Sequence, residues 1–247
     1  MGRQARKLSA TGFYHIMFRG INRQHLFDDE GDYRYFFESM ARIKTDMYFE
    51  LHAYCLMSNH VHLLIREKQM GDISTIMKRL LTKYVMYFNS KYERSGALIA
   101  SRYKSVPVEV DEYFISLICY IHQNPVRAGM VKELEAYRYS SYREYVHGGS
   151  MVETSFSLNL LGKDEWMRLH ANLVKNNFEV SGRISLSEEE IHRKILRYTK
   201  GQELSEIVGL PRTEINALLK CLKEKEGLSI RQIERATGIS RRVIAKA

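Results

Sequence analysis

The segment from Glu50 to Ile65 constrains this chain more than any other. ELHAYCLM and HVHLLI are two runs rich in aliphatic and aromatic residues, separated only by Ser58-Asn59, a turn-forming pair. Two such runs joined so tightly read as neighbouring antiparallel strands. Strand side chains alternate between faces, so His60 and His62 share one face while Val61 and Leu63 point the other way, into a core. Two imidazoles on one face are the beginning of a metal site. The plainer alternative is a strand carrying two hydrogen-bonded histidines.

The surrounding pattern supplies the rest of a sheet. FYHIMFR (Phe13 to Arg19) reads as a strand and Gly20-Ile21-Asn22 as a turn. Asp32 to Thr45 carries Tyr35, Phe36, Ser39, Met40 and Ile43 at helical spacing, and a second helix runs from about Ile73 to Tyr92. Val106 to Val110 is a short strand whose Pro107 marks an edge or a bulge. Asp111 reads as an N-cap for a helix Glu112–Gln123, with Phe114, Leu117, Ile118 and Ile121 on one stripe. Strand, helix, two strands, helix, strand, helix is the order of an α+β sandwich, with helices on an antiparallel sheet.

The charge is distributed in two blocks. The chain of 247 residues has a net charge of +9. Residues 1–150 hold 21 Lys and Arg against 16 Asp and Glu, residues 151–184 hold 4 against 4, and residues 185–247 hold 13 against 9. Basic surfaces favour polyanions through phosphate neutralisation and counterion release. The boundaries follow: a domain at 1–150, a connector at 151–184 opened by Gly148-Gly149-Ser150, and a purely helical domain at 185–247. In the last, segments Glu188–Tyr198, Leu204–Val208, Arg212–Glu226, Ser229–Thr237 and Ser240–Lys246 are separated by glycines. Three scattered cysteines without a CxxC pair fit neither a zinc site nor a disulfide framework. Without an apolar run of membrane-spanning length or a signal-peptide pattern, the expected setting is the cytoplasm.

Tyr120 lies off the apolar stripe of its helix, and Asn124 follows one turn later on the same side. Tyr120 is thereby a candidate nucleophile and Asn124 a candidate amide ligand to a metal. His122 and Gln123 are rival third ligands, and Pro125 biases Asn124 away from helical angles. A phenol of ordinary pKa near 10 needs activation before it attacks phosphorus. A divalent metal beside it would polarise the phosphate and neutralise charge building on its oxygens. Oxygen-rich sites suit Mg²⁺, and the histidines add tolerance for Mn²⁺. Attack would leave a covalent phosphotyrosine and a free hydroxyl. That bond retains the energy to rejoin a strand.

The segments MSNHVHLLI, SRYKSVPV, YIHQNPVRAGMV and YSSYREYV, together with YHIMFRGINRQHLF, resemble the single-strand tyrosine transposases of the His-hydrophobic-His (HUH) superfamily, most closely the REP-associated subgroup. The likeness spans about residues 10–147. It implies a ferredoxin-like or RRM-like fold with helices on one face of an antiparallel sheet. It also implies a divalent metal on His60 and His62, a 5′-phosphotyrosine link at Tyr120, and Asn124 as third ligand. The implied substrate is single-stranded DNA beside hairpins, bound by a monomer or a homodimer. Tyr139 stands where relatives often carry tryptophan, a change between two aromatic residues.

The C-terminal segment resembles the helical DNA-binding domain of the bacterial replication initiator DnaA, a helix-turn-helix variant. LSIRQIERATGISRRVIAKA supplies a helix, a turn at Gly238, and a second helix whose start presents Ser240, Arg241 and Arg242 to a duplex major groove. Arg19, Arg23, Arg102, Lys104 and Arg127 flank the proposed site in sequence. Arg102, Lys104 and Arg127 are the DNA-binding candidates among them, and Arg102 and Lys104 interleave with Tyr103 as a charge-plus-stacking surface. A contrasting reading is a catalytically silent regulator of hairpin DNA, which needs only the basic surfaces.

Overall fold

In a computed structural model, the described residues are 6–172, 191–192, 195–196, 198–199, 211–224, 228 and 230–246. They fall into two compact units, residues 6–172 and the described residues from 191 onward. The first unit begins β1 (Phe13–Arg19), α1 (Glu30–Met47), β2 (Glu50–Leu56), β3 (His60–Arg66), α2 (Asp72–Lys91), β4 (Lys104–Pro107) and α3 (Asp111–Arg127). The sheet order is β2-β3-β1-β4 with every neighbouring pair antiparallel. This is the split βαβ arrangement of a ferredoxin-like fold, in which α1 and α2 each carry the chain over an intervening strand.

Sequence and packing agree on why these elements form. Asp29 caps α1 by accepting from the Asp32 backbone, and Asp32 reciprocates, a capping box. α1 and α2 lie on the face bearing Ile16, Phe18, Val61 and Leu63: Phe36 of α1 packs on Phe18 and on Tyr84 of α2. β1, however, is buried along almost its whole length, Phe13 and Met17 included. Its second face needs its own cover. α3 provides it, with Phe114 edge-on to Phe13 at 5.0 Å. The expectation of helices on one face therefore describes the ferredoxin-like pair, and α3 adds a layer on the other side.

Three further expectations are corrected. The last strand is Lys104–Pro107 rather than 106–110, because Lys104 pairs opposite Met17 and the chain leaves the sheet after Val108 donates to the Phe13 carbonyl. Pro107 sits on the edge strand, where a missing N–H is tolerated. α3 begins at Asp111 with Val110 as its cap residue and continues through Pro125 to Arg127. Pro125 falls near the end, where one lost backbone bond is outweighed by burial from Phe114 to Pro125 along the inner face. Finally, after α4 (Tyr142–His147) closes the expected domain, residues read as connector form α5 (Ser155–Leu161) and α6 (Lys163–Ala171) of the first unit. Residues 173–184 of that connector lie outside the described residues.

A buried polar chain fixes α3 to this layer. His170 Nδ1 is 2.8 Å from the Trp166 carbonyl, which only accepts, so His170 carries its proton there. His170 Nε2 then accepts from His122 Nδ1 at 2.9 Å, and His122 Nε2 accepts from the Ser141 hydroxyl at 2.7 Å. Ser141 Oγ in turn accepts from the Tyr54 amide of β2. Trp166 stacks on His170 at 3.6 Å and on Tyr145 at 4.6 Å. Tyr139, the departure from tryptophan, stacks flat on Tyr33 at 3.6 Å.

The second unit contains α7 (Arg212–Glu224), α8 (Ile230–Thr237) and α9 (Arg241–Lys246). Ile191, Ile195, Leu218, Leu219, Leu222, Leu228, Ile233, Ile239 and Ile244 form its core. Gly238 turns the chain between α8 and α9 at φ +72°, a conformation that favours glycine. The expected helix Leu204–Val208, and most of Glu188–Tyr198, lie outside the described residues.

Burial holds His170 down to a pKa of about 4, against 6.5 when exposed. The unfolded chain therefore binds the extra proton first, and stability is complete above pH 6.5 and lost as pH falls toward 4. Unfolding in urea, followed by fluorescence of the single tryptophan, should show about 2 kcal/mol lost from this residue alone between pH 7.5 and 5. His170→Ala should cost about 3 kcal/mol at pH 7.5 by orphaning the His122 donor. A flat pH response would contradict the neutral relay.

Candidate active site

The site is a consequence of the β1–β3 ladder. Met17 lies opposite His62 and Arg19 opposite His60, so the sheet face under α3 displays His60 and His62 together with His15, Met17 and Arg19. The β1–β4 pairing adds Lys104 beside Met17 on that face. The hairpin tip is anchored: the Gly20 amide donates to the Asn59 carbonyl and the Leu26 amide to the Ser58 carbonyl.

Tyr120 descends from α3 onto this face. Its ring meets His62 edge-on at 5.6 Å and His15 at 6.4 Å, while the His60 and His62 rings are 5.2 Å apart. A cleft of about 450 Å³ opens here, lined by Arg19, Arg23, His60, His62, Arg102, Lys104 and Tyr120 among others. Arg23 reaches it from backbone at φ +61°, next to Asn22 at φ +52°, so a pair of left-handed residues shapes the rim. Arg127 places its guanidinium 5.4 Å from the centre of the Tyr120 ring.

The imidazoles are neutral. Burial holds His15 at about 3. Burial first, then Arg19, holds His60 at about 4. His62 lies well below the ordinary histidine value through burial, then His15, His60 and Arg19. Neutral nitrogens are what a metal requires. His60 Nδ1 lies 2.7 Å from Asn59 Oδ1, an acceptor, so the His60 proton sits on Nδ1 and the Nε2 lone pair is left for a ligand.

The predicted residues do not all converge. His60, His62, Tyr120, Arg102 and Lys104 share the cleft. Asn124 is buried one turn below Tyr120, and its Nδ2 donates to the Tyr120 carbonyl at 2.8 Å, so a metal contact would come through Oδ1. The rival His122 is committed to Ser141 and His170, and Gln123 donates to the His170 and Asn172 carbonyls. Tyr103 is no stacking platform: it precedes β4 and turns inward, its hydroxyl toward the Ile73 carbonyl, and is buried under Arg6 at 3.9 Å. Arg241 and Arg242 belong to the second unit. Arg241 pairs with Glu234 across the turn, and Arg242 is exposed at the start of α9.

His15 and Arg19 are what sequence reasoning missed or undervalued. His15 is 1% exposed, and its Nε2 lies 3.0 Å from His62 Nδ1 with the rings stacked at 5.3 Å. Alternation along FYHIMFR puts His15 and Arg19 on one face, but only the register shows that this face is the one bearing His60 and His62.

The fold sets two histidines of one strand against a tyrosine from the covering helix, and comparisons with known proteins show what this part of the chain is similar to. Residues 10–124 match the family described as "Transposase IS200 like". A Haemophilus influenzae protein named as a REP-associated tyrosine transposase is 27% identical over 146 residues, 54% of this chain and 80% of that protein. The solved structure of a REP-associated tyrosine transposase bound to a REP hairpin superposes with a TM-score of 0.52 at 18% identity, covering 63% of this chain and 96% of that one. Residues 10–124 are thus similar to the IS200-like transposases, and to a REP-associated tyrosine transposase among them. Among the described residues no helix is long and apolar enough to cross a membrane.

In metal-free protein, an NMR titration of ¹³C-labelled histidine should find His60 unprotonated at pH 6 with a midpoint about 4. A midpoint at 6.5 would place the ring in water rather than in this site.

Proposed function

We propose that the first unit is a metal-dependent single-strand DNA endonuclease and strand transferase that forms a 5′-phosphotyrosine link through Tyr120. The observation that carries this reading is the Tyr120 ring against His62 on the floor of a cleft walled by cations. His60 Nε2, His62 Nε2 and Asn124 Oδ1 are the donors for a divalent ion, Mg²⁺ or Mn²⁺. Two neutral imidazoles and one neutral amide fit such an ion weakly and leave positions for phosphate and water. Once bound, the ion would neutralise charge on the phosphate oxygens and polarise phosphorus.

The chain's own groups do the rest. Arg19, Lys104 and Arg102 hold the DNA backbone along the cleft by charge. The Tyr120 oxygen attacks phosphorus and loses its proton; the new P–O bond replaces the bond to the 3′ oxygen, which leaves as a hydroxyl. Arg127, over the ring, favours the negative charge that this step places on Tyr120. The retained phosphodiester is then attacked by a 3′ hydroxyl of a second strand, which makes joining independent of ATP. Hairpin DNA is the expected partner, since a structure of the same fold holds a REP hairpin. In the second unit, α8, the Gly238 turn and α9 serve as a helix-turn-helix module on duplex DNA, with Arg242 toward the groove and Arg241 braced by Glu234. The assembly is a monomer or a homodimer.

A labelled library of single-stranded hairpin oligonucleotides, incubated with Mg²⁺ or Mn²⁺ and resolved on a denaturing gel, tests the reaction. The expected result is a protein-linked band that needs metal and disappears in Tyr120→Phe and His62→Ala. Hairpin binding without a covalent band in either metal would leave a DNA-binding regulator instead.

A further inference from the structure

The two histidines of the pair are held from behind in the same way, by different partners. His60 Nδ1 faces Asn59 Oδ1 at 2.7 Å, and His62 Nδ1 faces His15 Nε2 at 3.0 Å. The Asn59 contact has one solution, because a carboxamide oxygen only accepts. The His15 contact has two. If His15 donates, His62 carries its proton on Nε2, and that nitrogen is a donor unable to bind a cation. If His15 accepts, the His62 proton sits on Nδ1 and the Nε2 lone pair faces the cleft beside that of His60. The pair holds the same number of protons either way, so the choice is one of tautomer, not of charge.

We propose that His15 is a positioning residue which accepts the Nδ1 proton of His62, fixes the His62 tautomer with its Nε2 lone pair exposed, and so completes the two-nitrogen side of the metal site. The inference rests on the reading of His60 and His62 as metal ligands. Metal-bound histidines regularly donate their second N–H to an acceptor behind them, and loss of that acceptor typically weakens metal binding about 10- to 100-fold. Three features suit His15 to the role. It lies on β1, diagonal to His62 across the ladder, so the sheet itself sets the distance. It is 1% exposed, so water does not compete for the His62 proton. Its ring is inclined only 21° to that of His62, and it also meets Tyr120 edge-on, so one residue orients the ligand and packs against the nucleophile. A free imidazole in water favours the opposite tautomer, with the proton on Nε2, so the site needs a device of this kind.

The test has two arms. In metal-free wild-type protein labelled with ¹⁵N-histidine, long-range ¹H–¹⁵N correlation spectra report which nitrogen of His62 carries the proton. The expected result is Nδ1–H for His62 and for His60; Nε2–H on His62 overturns the proposal. In the second arm, Mn²⁺ affinity is measured by EPR titration for wild type, His15→Gln and His15→Phe, with circular dichroism to confirm folding. His15→Gln retains an acceptor oxygen and should bind within about threefold of wild type, whereas His15→Phe should lose about 10- to 100-fold and shift His62 toward Nε2–H. Equal affinity in His15→Phe overturns the role. Should His15→Phe fail to fold, the wild-type tautomer still decides. Should wild type bind no Mn²⁺, the metal reading fails, and the tautomer still decides the His15–His62 contact.

Discussion

The register between β1 and β3 is the constraint on which the site depends. Met17 opposite His62 and Arg19 opposite His60 put three histidines and a guanidinium on one sheet face. A slip by one residue would turn every one of these side chains of β1 to the other side. The register is held strongly because β1 carries buried apolar side chains on both faces: Ile16 and Phe18 belong under α1 and α2, Phe13 and Met17 under α3. The packing that stabilises the sheet is thus the packing that aligns the chemistry.

The covering layer does the complementary work. Tyr120 reaches His62 only because α3 lies across the second face of the sheet, and α3 is tied down by a directed chain of hydrogen bonds from Ser141 through His122 and His170 to the Trp166 carbonyl. Every group in that chain is buried, and a buried polar group left without a partner is costly. The chain therefore favours a single position of α3. Residues 151–171, which look like a spacer in the sequence, are in this sense part of what places the tyrosine.

Much of this was legible beforehand. The hairpin Glu50–Ile65, the long helices and the histidine pair follow from periodicity, and the Tyr120–Asn124 spacing survives because α3 runs on through Pro125. Helices on both sheet faces were not legible in FYHIMFR, because His15 and Arg19 alternate onto the face that α3 covers and make it read as the polar side. What was not legible depends on register and on distant partners. Nothing local reveals that His15 meets His62, that Lys104 belongs to β4 beside Met17, or that Tyr103 turns inward. The roles of His122 and Gln123 were equally hidden, since both are settled by residues 141 and 166–172.

The central claim is that His60 and His62 form one metal centre facing Tyr120. Pulsed EPR of Mn²⁺ bound to the full chain measures it most directly, by counting coordinated imidazole nitrogens. Two nitrogens in wild type, one in His60→Ala and one in His62→Ala would bear the account out. An all-oxygen coordination sphere, or a nitrogen count unchanged by either substitution, would contradict it.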